Sequence, residues 1–321
     1  MGMLIDGAWI EDDAKYRQSG GRFVRRDSHF RNWVTSDGAS GFPAEAERYH
    51  LYVAAACPWA HRTILFRKLK GLEDAISLSY VDPVALAGGW AFTSEPDPLF
   101  GARFLHEIYQ RADPNYTGRV TVPVLWDKQT GGIVNNESSE IIRMLNSAFD
   151  AVGDAAVDYY PAALRPEIDA INTIVYDRVN NGVYKCGFAR AQDAYDEAFD
   201  ALFATLDELE QRLAGQRYLV GDRLTEADWR LFTTLVRFDA VYFGHFKCNL
   251  RRIADYPNLS NYLRELHQVP SVADTVDPED FKTHYYASQL SVNPTGIVAR
   301  GPALDLDAPH DRGRFAMAAA E

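Results

Sequence analysis

Residues 49–71 have the sequence YHLYVAAACPWAHRTILFRKLKG, which changes from one pattern to another at a single cysteine. The part before Cys57 is a short apolar run, typical of a buried strand. The part after it places apolar residues at helical spacing, with Pro58 at the first turn and Gly71 as a stop. The stretch therefore predicts a strand, then a helix, with Cys57 at their junction.

Cys57 is the candidate reactive group of this chain. The amides and the dipole at a helix N-terminus stabilise negative charge. A thiol at such a place can have a pKa below the free value of about 8.5, and it then ionises at neutral pH. From its position alone, Cys57 is either a thiolate nucleophile or a small buried side chain that only fills space.

Strand and helix patterns continue to alternate through the first half of the chain. They lie at 76–82, 98–111, 120–126, 133–134 and 138–148, with a hairpin turn predicted at Gly131-Gly132. Because proline cannot donate to a sheet, Val122-Pro123 should mark a strand start or a tight turn, where a cis bond is allowed. The resulting order of βαβ, helix and ββα predicts a thioredoxin-like domain.

Strand signals vanish after about residue 162. Helical spacing is found at 166–181, 193–214, 225–243 and 257–268. Thr225 and Asp228 have the spacing of a capping box at a helix start, with Asp in place of the usual Glu. We therefore interpret Asp228 as a folding residue rather than a catalytic one, and we expect the second half to be all-helical.

Composition narrows the class of function. A length of 321 residues suggests two domains, and a net charge of -12 argues against a nucleic-acid surface. The three cysteines are widely spaced and lack metal-ligand spacing, which predicts neither a disulfide scaffold nor a metal site. The apolar runs are too short for a membrane span, and acidic residues interrupt the N-terminus early. These features predict a cytoplasmic protein.

A family resemblance enters through Val122-Pro123 and Glu137-Ser138, which are similar to the glutathione-site motifs of the glutathione transferase superfamily. The chain resembles one branch still more closely, the Xi-class glutathionyl-hydroquinone reductases. The segments that carry this second resemblance are 56–62, 88–90, 135–142, 181–189, 237–242, 282–286 and 293–298.

The resemblance implies an α/β thioredoxin-like N-terminal domain plus an all-α helical C-terminal domain, the glutathione transferase fold. The expected boundaries are an N-terminal extension at 1–45, the thioredoxin-like glutathione-binding domain at 46–150, a linker at 151–164, the helical substrate domain at 165–285 and a C-terminal extension at 286–321. The resemblance also suggests a homodimer.

The reaction that the resemblance implies is reductive. Cys57 attacks the sulfur of an aromatic glutathionyl-hydroquinone, and a second glutathione resolves the mixed disulfide to give oxidised glutathione. Glutathione is thus a co-substrate, and no metal is expected. Cysteine matters here, because a hydroxyl in its place would hold glutathione for conjugation instead.

The remaining site residues are carried over from matching segments. Tyr184, Tyr285 and Tyr242 are the expected hydroxyl donors near the aromatic ring, although Tyr286 is an alternative to its neighbour. The expected glutathione-binding residues are Trp90, Arg103, Val122, Glu137 and Ser138, with Val122 acting through its backbone.

Two other functions stay open on the sequence. The first is a dehydroascorbate reductase or a glutaredoxin-like thioltransferase, which would use the same Cys57 chemistry. The second is a non-catalytic binding protein with a transferase fold. A cysteine at position 57 argues against the second, because a protein without catalysis has no need of a thiol there.

Overall fold

The computed structural model describes residues 2–11 and 20–315, which form two compact units. The first unit comprises Arg26–Val157 and Glu279–Ser288 together with residues 2–11. The second comprises residues 20–25, Asp158–Pro278 and 289–315. Residues 1 and 12–19 of the expected N-terminal extension, and 316–321 of the C-terminal one, lie outside the described residues.

The first unit begins with a hairpin of β1 (Met3–Ile5) and β2 (Ala8–Ile10), which turns at Asp6 and Gly7. Both turn residues have positive φ, as a two-residue Asp-Gly hairpin turn requires. The main sheet consists of β3 (Tyr49–Val53), β4 (Ile76–Tyr80), β5 (Val124–Asp127) and β6 (Gly132–Asn135).

The sheet order is β4-β3-β5-β6, with β3 and β4 parallel and the other two pairs antiparallel. All five residues of β3 are buried, as expected for a central strand. The helices of this unit include α1 (Pro58–Leu69), α2 (Leu105–Ala112) and α3 (Ser138–Ser147), and α1 packs against α3. The thioredoxin-like prediction is confirmed, and the bond between Val122 and Pro123 is cis.

The helix predicted over 98–111 starts later than expected. Backbone amides of residues 99, 100 and 102 donate to the carboxylate of Asp97, which holds this segment in a turn. The helix begins only at Leu105, where Glu107 accepts a hydrogen bond from the Phe104 amide at 3.0 Å. The side chain of Asp97 thus prevents the helix from forming earlier, since it competes for the amides of the first turn.

The second unit is helical, as predicted. Its helices are α4 (Arg165–Val175), α5 (Gly182–Phe188), α6 (Gln192–Gly215), α7 (Glu226–Arg237) and α8 (Pro257–His267). Helix α6 packs against α5 and α8, while α4 packs against α7. Both α4 and α7 end in a π-helical turn, at Tyr176–Asn180 and Phe238–Tyr242. Helix α5 was not predicted from the sequence, since its seven residues are too few to show a helical period.

A last helix, α9 (Pro278–Ser288), was also missed. Its buried side chains are Phe281, Lys282, His284 and Tyr285, so it presents no purely apolar stripe to detect. The expected boundaries placed most of this helix in the helical domain, whereas residues Glu279–Ser288 group with the first unit. Two hydrogen bonds help to hold it there: His284 donates to the backbone oxygen of Pro83, and the Ser288 hydroxyl accepts from the amide of Ala85.

Candidate functional site

Cys57 lies where the sequence analysis placed it, between β3 and α1. It is the N-cap residue of α1 in an extended conformation, and Pro58 follows at the first helical position. The thiol is half-buried, and its sulfur lies 3.7 Å from the backbone oxygen of Val122. The reactive group and the residue before the cis-proline are therefore adjacent, at the edge of the sheet where α1 starts.

The N-terminus of α3 carries the acid and the hydroxyl of the second glutathione motif. Glu137 is the N-cap residue, and its carboxylate accepts hydrogen bonds from the backbone amide and the hydroxyl of Ser139 at 3.0 and 2.9 Å. The hydroxyl of Ser28 lies 3.1 Å from the other carboxylate oxygen. Hydrogen bonds to both carboxylate oxygens thus hold the Glu137 side chain. The contact with Ser28 was not predicted by any sequence motif.

Ser138, the next residue, differs from Glu137 in the hydrogen bonding of its side chain. Its hydroxyl is buried and has no hydrogen-bond partner among the described residues. Buried polar groups are nearly always paired, so an unpaired hydroxyl at a helix start is suited to a ligand group. Since amides at this end also favour anions, the place suits the carboxylate of a ligand.

Trp90 lies in the loop 82–92, which pairs with the segment before α2. The amide of Leu105 donates to the backbone oxygen of Trp90 at 2.9 Å, and the amide of Phe92 donates to Arg103 at 2.9 Å. Gly89 has a φ of +76°, and a side chain there would meet the ring of Trp9 within 3.0 Å. The glycine thus allows the loop to approach the N-terminal hairpin closely.

Arg103 does not lie on a helix, contrary to the prediction. It lies in a bend two residues before α2, and its side chain is exposed with the guanidinium 5.9 Å from the Phe104 ring centre. The cause is the later start of α2 described above. The positive charge of Arg103 is accessible to an anion. The direction of its side chain is set by the backbone of the segment before α2 and not by a helix face.

His284 links Trp90 to helix α9. The rings of the two residues are stacked, with centroids 4.7 Å apart and planes at 16°. Nδ1 of His284 lies 2.7 Å from the backbone oxygen of Pro83, which fixes the ring orientation. The next residue, Tyr285, is buried and meets His284 edge-on at 5.2 Å. In the sequence, His284 is indicated only by its place in the matching segment 282–286. The residue predicted from that segment was Tyr285, with Tyr286 as the alternative, and not His284.

Tyr184 and Tyr242 belong to the second unit, where they form an aromatic cluster. Their ring centroids are 6.2 Å apart, and the Phe246 ring lies 5.5 Å from each. Tyr242 lies in the π-helical turn after α7, and such turns are frequent at functional sites. Gly187 is required here, because a Cβ at that position would lie 2.1 Å from the Phe246 ring.

The other cysteines have the environment of structural residues. None of the three cysteines forms a disulfide, and Cys186 and Cys248 are buried. Burial raises the pKa of the Cys248 thiol well above its ordinary value, and contact with Cys186 adds to the effect. A thiol that stays protonated is a poor nucleophile, which excludes Cys248, and Cys186 is buried, so the half-buried Cys57 is the reactive candidate of the three.

Two features are absent from residues 2–11 and 20–315. No group of three or more His, Cys, Asp or Glu side chains is arranged to hold a metal ion. No helix of these ranges combines the length and apolar character that crossing a membrane would require.

Comparisons with known proteins agree with this fold. Residues 56–148 match the family "Glutathione S-transferase, N-terminal domain", and residues 192–265 match "Glutathione S-transferase, C-terminal domain". The chain is 57% identical over 310 residues to glutathionyl-hydroquinone reductase PcpF of Sphingobium chlorophenolicum, covering 95% of this chain and 98% of that protein. It is 55% identical over 323 residues to glutathionyl-hydroquinone reductase YqjG of Escherichia coli K12, covering 97% and 98%.

Solved structures give the same result. The glutathione-bound structure of YqjG superposes with a TM-score of 0.90 at 53% identity, covering 97% of this chain and 99% of that one. The Xi-class glutathione transferase of Natrialba magadii superposes with a TM-score of 0.93 at 50% identity, covering 98% and 97%. This chain therefore belongs to the glutathione transferase superfamily, and within it to the Xi-class glutathionyl-hydroquinone reductases.

Proposed function

We propose that the protein is a glutathione-dependent reductase that cleaves glutathionyl-hydroquinones to free hydroquinone and oxidised glutathione. The observation that carries the proposal is Cys57 at the N-terminus of α1, with its sulfur 3.7 Å from the backbone oxygen of Val122. A thiol at this place attacks sulfur, whereas a hydroxyl would not. Relatives of nearly the same length and more than half identical are named for this activity.

The reaction balances in two steps. In the first, the Cys57 thiolate attacks the glutathione sulfur, a disulfide forms and the carbon–sulfur bond breaks. The electron pair of that bond goes to the ring carbon, which takes a proton and leaves as hydroquinone. In the second step, the thiolate of another glutathione attacks the mixed disulfide, which releases oxidised glutathione and restores the Cys57 thiolate.

Glutathione binding is assigned to the first unit. The buried, unpaired hydroxyl of Ser138 and the amides at the start of α3 suit the γ-glutamyl carboxylate, next to Glu137. The backbone of Val122 pairs with the tripeptide, and Trp90 forms a wall of the site. Arg103 supplies an exposed positive charge for a second carboxylate.

A carbanion is a poor leaving group, so the first step needs a proton donor. Tyr184, Tyr242 and Tyr285 are assigned this role, all three with buried rings. A thioltransferase that reduces mixed disulfides needs no such donor, because its leaving group is already a stable thiolate. The tyrosines are therefore what separates the proposed reaction from the thioltransferase alternative.

The decisive experiment incubates the protein with a glutathionyl-hydroquinone and glutathione, and follows hydroquinone and oxidised glutathione together. Equal amounts of both products are expected from the wild type and none from Cys57→Ala. Cys186→Ala is the matched control and should keep turnover, since Cys186 is a buried structural thiol. Turnover that persists without Cys57, or conjugate formation instead of cleavage, would reject the proposal.

A second arm compares two substrates. Replacing Tyr184, Tyr242 or Tyr285 by Phe should slow cleavage of the hydroquinone conjugate but leave reduction of a glutathione mixed disulfide unchanged. Unchanged rates on both substrates would favour the thioltransferase function and refute the role of the tyrosines.

The assembly and location proposed here are a homodimer in the cytoplasm. The family suggests the dimer, and a reactive thiol that must stay reduced suits a reducing compartment. Light scattering at the concentrations used for assay tests the first, and cell fractionation tests the second.

A further inference from the structure

A short segment of the N-terminal part of the chain, residues 20–25, is built into the helical unit. The amide of Arg190 donates to the backbone oxygen of Gly21 at 2.9 Å, and Arg22 pairs with Glu197 at 2.5 Å. The Phe23 ring stacks on Phe188, with centroids 5.7 Å apart. This segment is therefore anchored to α6 and to the end of α5 by contacts that no helix motif predicts.

The same segment contacts Tyr184 through two side chains. The Phe23 ring stacks on the Tyr184 ring at 5.9 Å, and the guanidinium carbon of Arg25 lies 5.0 Å from the centre of the same ring. Arg25 is itself held, because its Nε donates to the side-chain oxygen of Asn181 at 2.7 Å. Asn181 is the N-cap residue of α5, three residues before Tyr184. Arg25 thus joins the start of α5 to the ring of Tyr184.

We propose that Arg25 is a positioning residue for Tyr184, which it orients through the Asn181 contact and whose developing negative charge it offsets. The inference rests on the proposed function, in which a tyrosine gives its proton to the ring carbon as the carbon–sulfur bond breaks. The donor is then left as a phenolate until solvent returns a proton. A guanidinium over the ring favours that anion, and it also attracts the neutral ring through its π face.

The choice of Arg25 over other cations depends on geometry. Lys185, next to Tyr184 in sequence, forms an ion pair with Asp177 at 2.6 Å. Arg22 is three residues from Arg25 but forms an exposed ion pair with Glu197. A planar guanidinium can stack on a ring and donate sideways at the same time, which an ammonium cannot do as well.

The test is a double-mutant cycle measured on two substrates. Arg25→Met should lower kcat for a glutathionyl-hydroquinone about tenfold, and Arg25→Lys should lose less because the charge remains. Reduction of a glutathione mixed disulfide should be unchanged in both variants, which also shows that they are folded. In a Tyr184→Phe background, Arg25→Met should change kcat by less than about twofold, because its effect passes through the lost hydroxyl.

Lys185→Met is the matched control, because it removes a neighbouring cation that is paired with Asp177, and it should leave both rates unchanged. The inference is overturned if Arg25→Met leaves kcat for the hydroquinone conjugate unchanged, or if it lowers the rates on both substrates equally. It is also overturned if Arg25→Met lowers kcat by the same factor in the Tyr184→Phe background as in the wild type. A wild-type protein that does not cleave the conjugate at all would reject the proposed function first, and the inference with it. A wild type that cleaves it while Arg25→Met is unaffected rejects the inference alone.

Discussion

Asp228 is the residue whose loss should most damage the helical unit without touching the chemistry. Its carboxylate is fully buried and accepts four hydrogen bonds, two on each oxygen. The amide of Leu219 and the hydroxyl of Tyr262 donate to one oxygen at 2.8 and 2.7 Å. The amide and hydroxyl of Thr225 donate to the other at 2.8 and 3.0 Å. One carboxylate thus joins the start of α7 to the preceding loop and to α8.

The magnitude follows from the donors that Asp228→Ala would leave behind. All four of them, the two amides and the hydroxyls of Tyr262 and Thr225, are buried and would lose this acceptor. An unsatisfied buried donor costs about 1–3 kcal/mol, and water entering the vacated space recovers part of it. We expect the free energy of unfolding to fall by about 4 kcal/mol, a value well above that of an ordinary substitution.

Urea unfolding followed by circular dichroism measures this change. Asp255→Ala is the matched control, because Asp255 also accepts the amide three residues before it, from Arg252 at 3.0 Å, but is exposed. In Asp255→Ala the free energy of unfolding should fall by only a small fraction of the change expected for Asp228→Ala. Turnover per folded molecule should be unchanged in both variants. A loss below about 1 kcal/mol in Asp228→Ala, or a specific loss of kcat in correctly folded protein, would refute the assignment of a folding role.

Three further outcomes are expected. Asp127→Asn should destabilise the protein by about 3 kcal/mol, since it breaks the buried two-bond pair with Arg48, at 2.7 and 2.9 Å. Burial opposes ionisation of Asp127, but the bonds from Arg48 and its neighbours outweigh it and lower its pKa. The stability from this carboxylate is therefore present above about pH 3.9 and lost as pH falls further, and Asp127→Asn should flatten that part of an acid-unfolding curve. Burial lowers the pKa of His50 and His245 to about 4. Both rings should show no NMR titration between pH 5 and 8, and each should contribute to a loss of stability as pH falls below about 6.5; titration near 6.5 would contradict this. Trp90→Ala should raise the KM for glutathione about tenfold with little change in kcat, as removal of uniform binding predicts, and an unchanged KM would exclude Trp90 from the glutathione site.

Much of the thioredoxin-like unit is visible in the sequence because its signals are local. The change of pattern at Cys57, the proline at 58 and the pair Val122-Pro123 each act over a few residues, and the structure has the elements they predict. The capping box at Thr225 and Asp228 is confirmed for the same reason. The predicted start of α2 was wrong. The side chain of Asp97 accepts hydrogen bonds from amides that helical periodicity alone assigns to the helix, and so the helix begins later.

The family resemblance identified the candidate site residues, but it did not identify the residues that contact and orient them. Ser28 at Glu137, and His284 stacked on Trp90, are contacts between segments far apart in the chain. Neither residue belongs to an apolar stripe or a turn signature, so no period or spacing could have linked them. Helix α9 was missed for the same reason, since half of its buried side chains are polar.

The sequence by itself determined the order of the elements, the identity of the nucleophile at a helix start and the cis-proline position, because helix caps, proline and hydrophobic period operate within a turn or two of the chain. Only the tertiary structure decided that Glu279–Ser288 groups with the thioredoxin-like unit and that Arg25 lies against Tyr184. Those pairings depend on which surfaces pack together across long stretches of chain, and stacking and charge contacts of that kind leave no periodic trace in the sequence.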